Sequence, residues 1–153
     1  MSLEQALQKA RHYCAYQERC HSEVKEKLYG FGIRRHEVEE ALSRLIEENY
    51  LNEERFAVQF AGGRFRMKEW GRVKIRYELK LKQVGEYCIK KALASINEED
   101  YDRTLSRLTE DKWSDLHKED HYIRRQKLQT FLVQKGYEME KIRGVLAGLK
   151  EQE

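Results

Sequence analysis

Seven apolar positions recur three times in this chain at an almost constant interval. Val24, Leu28, Ile33, Val38, Ala41, Leu42 and Leu45 are matched, 51 residues on, by Ile75, Leu79, Val84, Ile89, Ala92, Leu93 and Ile96. A further 53 residues on stand Leu128, Leu132, Tyr137, Ile142, Val145, Leu146 and Leu149, with no gap inside any copy. A fixed period of about 50 residues marks tandem modules, each too small to bury its apolar face alone. The repeat constrains the fold more than any composition figure, because the structure of one copy must serve for all three.

Within a copy the spacing is helical. Val24 and Leu28 lie four apart, and Val38, Ala41, Leu42 and Leu45 follow the i, i+3, i+4, i+7 pattern of one helix face. Between the two helices stand Gly30-Phe31-Gly32, Gln83-Val84-Gly85 and Lys135-Gly136-Tyr137, each with a glycine suited to a helix stop. A further helix is expected before each pair. Its apolar stripe is Ala6, Leu7, Ala10, Tyr13 and Cys14 in the first copy, and Phe56, Ala57, Phe60, Ala61 and Phe65 in the second. Asn52 is the expected N-cap of that second-copy helix, and Gly62 and Gly63 either weaken it or admit a close neighbour. In the third copy Tyr101, Leu105 and Leu108 open a helix that runs toward Trp113 and Leu116. The expected fold is all-α: three tandem three-helix repeats over residues 1–50, 51–97 and 98–153, forming an elongated, curved helical array. The chain's 153 residues contain no proline, as suits many helices with short connections.

Composition narrows the function classes. Charged residues make up 37% and hydrophobic ones 40%, enough apolar mass for cores, and no apolar run approaches a membrane span. A soluble, cytoplasmic protein is expected. Cys14, Cys20 and Cys88 are odd in number, and with His12 and His21 they match no zinc spacing. Cys14 and Cys88 occupy apolar helical positions and read as small buried hydrophobes. His117 and His121 have the i, i+4 spacing of a helix-face metal pair, but a solvated surface is the simpler reading. There is no phosphate loop, dinucleotide fingerprint or zinc-protease motif. No enzyme, cofactor or metal is expected.

Charge is more informative. The net charge is +3, yet residues 64–82 alone carry eight cations against Glu69 and Glu78, which is +6 and leaves the rest slightly acidic. Lys68, Arg72, Arg76 and Lys80 recur every four residues and would form a stripe along one continuous helix, with Ile75 and Leu79 turned to the core. Such a stripe repels itself, so acidic neighbours, an acidic partner or phosphates must compensate. Trp70 and Tyr77 lie nearby, and at helical spacing such aromatics are core before they are stacking platforms. The stripe is expected to be exposed, and the fold independent of it.

Asn49-Tyr50-Leu51-Asn52-Glu53-Glu54-Arg55-Phe56-Ala57, followed by Arg64, Lys68, Gly71, Ile75 and Glu78-Leu79, closely resembles the core signature of the RecX regulatory family. Arg19, Ser22, Glu23, Lys27-Leu28, Leu42 and Leu45 fit the same pattern in the first repeat. The sequence departs from it at Gln83, where the family carries glycine, and at Asn52-Glu53-Glu54, where it carries an acidic pair. The resemblance implies a non-enzymatic regulator, expected to be monomeric. Its partner would be the RecA filament on single-stranded DNA, whose strand exchange, ATP hydrolysis and co-protease activity it would suppress. On this reading Tyr50, Leu51, Phe56 and Ala57 pack between repeats, while Arg55, Arg64, Lys68, Arg72 and Arg76 contact RecA or its DNA. The alternative is a helical-repeat DNA-binding or scaffold module that acts without RecA.

Overall fold

A computed structural model describes residues 1–151, with side chains through Leu149. Nine α-helices and no strand are present among these residues: α1 Leu3–Tyr16, α2 His21–Gly30, α3 Arg35–Glu47, α4 Glu53–Lys68, α5 Arg72–Leu81, α6 Glu86–Ala94, α7 Glu98–Asp115, α8 His121–Lys135 and α9 Met139–Glu151. The first helices of the three copies are α1, α4 and α7, and the pairs that follow carry the repeated apolar positions. All but Leu42 and Val145 of those positions are buried, and these two are half-buried.

The starts of the helices are written locally. Ser2 and Gln5 close a capping box on α1, and Asn97 and Asp120 cap α7 and α8 through the amides of Asp100 and Ile123. Asn52 caps α4 as expected, accepting from the Arg55 amide at 2.9 Å. Gly62 and Gly63 admit no neighbour: a side chain at Gly63 would meet open space, and one at Gly62 only the flexible end of Arg66.

The turn between second and third helices repeats in backbone geometry as well as in pattern. Gly32, Gln83 and Gly136 hold the same place in the three copies, and their φ angles are 80°, 64° and 96°. Their amides donate to the carbonyls of Tyr29, Lys80 and Val133 at 3.0, 2.9 and 3.0 Å, residues that are themselves equivalent. The next amides in the second and third copies, Val84 and Tyr137, reach back to Leu79 and Leu132, the Schellman closure of a helix. Only glycine takes this left-handed conformation without a Cβ clash, so Gln83 is strained there.

By contact the helices form two compact units, Met1–Phe60 with Glu78–Ala92, and Ala61–Tyr77 with the chain from Leu93 onward. In the first, α1 packs on α2 and α3 around Leu7, Ala10, Val24, Leu28, Val38 and Leu45. Leu51 joins that core, and Phe56 and Ala57 are buried, while Tyr50 is exposed rather than packed. Glu53 accepts from the His21 amide at 3.1 Å and so stabilises the start of α2, whose own N-cap, Cys20, offers no acceptor there. Cys14 is buried, which pushes its thiol up to about 11, whereas Cys88 is only half-buried. In the second unit α8 packs on α7 and α9, and Tyr101 is wholly buried between Phe65 and Tyr137, ring centroids 5.7 and 5.1 Å away.

Two substitutions test this reading. Gln83→Gly relieves the left-handed strain and is expected to raise stability by ~0.5–1 kcal/mol, seen as a higher midpoint in thermal melts. Leu79→Ala empties a wholly buried site and is expected to cost ~2–4 kcal/mol in urea titration. A loss below about 0.5 kcal/mol would remove Leu79 from the core.

Candidate interaction surface

The dense cationic segment does not lie on one helix. The chain leaves the helical path after Lys68, Glu69 takes φ 60°, and α5 begins afresh at Arg72. The expected stripe of Lys68, Arg72, Arg76 and Lys80 is therefore broken between two helices. Its members also have different surroundings, because the corner between α4 and α5 is tied down by residues far along the chain.

A helix start leaves amides without partners, and α5 has no capping side chain before it. Its amides find tertiary partners instead. Gly71 donates to the Lys135 carbonyl at 2.8 Å, Arg72 to the Tyr101 hydroxyl at 3.0 Å and Val73 to the Gly136 carbonyl at 2.9 Å. The end of α4 is closed from the same side. The Lys68 carbonyl accepts from Lys135 Nζ at 3.1 Å, and the Glu69 carbonyl from the Tyr137 hydroxyl at 2.9 Å. The two backbones approach so closely that a Cβ on Gly71 would stand 2.3 Å from the Gly136 oxygen, and one on Gly136 2.2 Å from the Lys74 Cβ.

Arg72 belongs to this joint. Its guanidinium lies 3.8 Å from the Tyr101 ring, donates to Glu138 at 2.9 Å and pairs with Glu98, leaving the side chain 17% exposed. The Tyr101 hydroxyl donates to Glu138 while accepting from the Arg72 amide. Burial and then that bond to Glu138 hold the phenol protonated, well above its ordinary range. Lys141 and then Arg72 hold the Glu98 carboxyl below the usual carboxylate range. The fold is thus not independent of Arg72, because reversing its charge would set a third carboxylate against Glu98 and Glu138.

The other candidates divide. Arg55 pairs with Glu18 and donates to the Asn49 side chain at 3.2 Å and the Asn49 carbonyl at 3.1 Å, clamping the turn before α4. Arg64 lies 5.6 Å from the Trp70 ring, with Lys74 Nζ 4.7 Å from the same ring. Arg76 is half-buried, and Lys68 is exposed. Lys80, the last member of the stripe, and Arg66, which spacing did not single out, are exposed with Lys68. Tyr77 is exposed and Trp70 half-buried, so neither aromatic is core as its spacing suggested. Elsewhere His117 lies in the turn between α7 and α8 and His121 opens α8, so the two do not share a helix face. Among the described residues no three His, Cys, Asp or Glu side chains converge, and no helix is long and apolar enough to cross a membrane.

The two classes of glycine give opposite expectations. Gly71→Ala forces apart two backbones and is expected to cost about 2 kcal/mol or more. Gly63→Ala, inside α4 with open space around it, is expected to stabilise by ~0.5–1 kcal/mol. Thermal melts of the two variants decide; equal shifts would contradict the close crossing at Gly71.

Comparison with known proteins follows the same division into repeats. Residues 6–45, 52–93 and 98–146 match the models of the first, second and third three-helix domains of RecX. A protein of Prosthecochloris aestuarii named regulatory protein RecX is 34% identical over 142 residues, covering 92% of this chain and 91% of its own. One of the same name from Clostridium perfringens is 34% identical over 133 residues, 86% of this chain, which spans only 62% of that relative's length. The crystal structure of RecX from Lactobacillus salivarius superposes with a TM-score of 0.89 at 20% identity, covering 97% of this chain and 96% of that one. That likeness concerns the fold. With three domains matched in order along one chain, the protein belongs to the RecX family of regulatory proteins.

Proposed function

We propose that this protein regulates RecA by binding its filament on single-stranded DNA and inhibiting strand exchange, ATP hydrolysis and co-protease activity. The observation that carries the reading is the ordered match of three RecX domains across residues 6–146, together with relatives named as regulatory proteins. Cations around the α4–α5 corner supply an electrostatic complement to an acidic protein surface or to DNA phosphates. Within that group Lys68 and Arg76 are the contact residues. Arg64 supports them through Trp70, and Arg72 and Arg55 act by holding the corner and the α4 start in place.

The test is RecA-coated single-stranded DNA titrated with the protein while ATP hydrolysis is followed. The rate is expected to fall to a plateau, and an unchanged rate at saturating protein would refute the reading. Lys68→Glu with Arg76→Glu is expected to weaken inhibition ten-fold or more, since each lost contact is worth about 1 kcal/mol and repulsion is added. The same reversal at Lys90, Lys91 and Lys112 should leave inhibition intact. If both variants fail equally, the effect is bulk charge. If binding follows naked DNA and falls steeply with salt, the DNA-binding alternative holds instead.

A further inference from the structure

Helix α5 is apolar on two opposite sides. Ile75 and Leu79 are buried in the fold, as the repeat requires. On the far side, successive turns present Val73, Tyr77 and Leu81, which are 53%, 62% and 61% exposed. Residues spaced by four fall on one stripe of a helix, so these three side chains form a continuous apolar ridge open to solvent. Lys80 stands exposed on one border, beside Arg76, and Lys74 lies on the other. The helix's sole acidic residue, Glu78, is turned about 100° around the axis from Tyr77.

The chain contains its own control for this feature. At the same register the second helix of the first repeat carries Ser22, Glu26 and Gly30, and that of the third carries Gln126, Thr130 and Gln134. In the first repeat Ser22 is half-buried and donates to the Lys82 carbonyl at 2.7 Å, while Glu26 and Gly30 are exposed. In the third all three positions are exposed, so none of the six is an apolar side chain open to solvent. Only the middle repeat places valine, tyrosine and leucine there, so the requirements of the repeat fold do not account for them. Scattered single exposed hydrophobes need no explanation, but an aligned ridge confined to one repeat marks a surface that another molecule covers.

We infer that the outer face of α5 docks an acidic protein segment that carries apolar anchor side chains. The ridge takes the anchors, and Lys74 and Lys80 take the flanking carboxylates. Two of the three ridge residues are aliphatic and offer no ring for a base to stack on. Interfaces with nucleic acid are polar and charged throughout, whereas protein interfaces set apolar and tyrosine side chains at the centre and charges at the rim. The ridge is too narrow to be a whole interface and fits the role of its energetic centre. This inference rests on the proposed function and deepens it: the segment belongs to RecA protein itself, not to the DNA within the filament.

The experiment compares the parent with the triple variant Val73→Ser, Tyr77→Ser, Leu81→Ser and with Tyr77→Ser alone. The probes are RecA protein without DNA, a naked oligothymidylate, and the RecA filament under ATPase assay, with thermal melts as the fold control. The triple variant is expected to lose ten-fold or more in RecA affinity and in filament inhibition, and Tyr77→Ser about three-fold, with oligothymidylate binding unchanged. Lys74→Gln with Lys80→Gln should weaken RecA binding several-fold and flatten its dependence on salt. If the parent inhibits the filament and the triple variant inhibits equally well, the docking face is wrong and the regulatory reading stands. A proportionate loss of oligothymidylate binding would make the ridge a nucleic-acid surface and also overturn the inference. If the parent leaves the filament's ATPase unchanged, the regulatory reading fails first, and the inference falls with it.

Discussion

The end of α8 serves as the cap for the beginning of α5. Two carbonyls left over at one helix terminus, those of Lys135 and Gly136, receive amides left over at the other, those of Gly71 and Val73. The arrangement satisfies both sets of orphan groups without a capping side chain and sets the negative end of one helix dipole against the positive end of the next. It demands that the two backbones nearly touch. That is why neither Gly71 nor Gly136 can carry a Cβ, and why Gly136, in the left-handed region as well, is doubly bound to be glycine. The phenol of Tyr101 supplies the remaining acceptor, for the Arg72 amide, and the phenol of Tyr137 closes the preceding helix through the Glu69 carbonyl.

Electrostatics around this joint follow from its geometry. A run of cations in sequence would destabilise one long helix, and the chain resolves the problem in two ways. It breaks the helix at Glu69, Trp70 and Gly71, and it brings carboxylates from distant helices against Arg72, the cation just after the break. Glu138 and Glu98 enclose Arg72. An arginine held by two carboxylates and an aromatic face, largely out of water, is part of the architecture, since removing it would leave Glu98 only Lys141 and Glu138 only the Tyr101 hydroxyl. The side chains of Arg66, Lys68 and Lys80 remain at the surface.

The repeat gives each module the same skeleton and leaves its outer faces free to differ. Equivalent left-handed residues end the second helix in every copy, yet the middle copy closes with Gln83 in place of glycine. The same copy carries the apolar ridge of α5 where its neighbours are polar. Departures from a repeated pattern are thus the informative positions. Where all three copies agree, packing explains the residue, and where one differs, something outside the packing has to.

Period and spacing alone were enough to establish the helical class, the three modules, their turns and nearly all of the core. These are consequences of burying one apolar face at helical period, and every residue involved is a near neighbour of the others in the chain. The Asn52 cap was legible for the same reason, because a cap acts over three residues. The partners of Arg72 were not legible: Glu98, Tyr101 and Glu138 lie 26 to 66 residues away. Nor was the break in the cationic stripe, because Gly71 is required by a backbone that arrives from α8 and by nothing in its own segment. Spacing assigned Tyr77 to the core and Arg72 to the surface, and the fold reverses both. A helical period tells which residues share a face, but only packing decides whether that face meets solvent, a carboxylate or another helix.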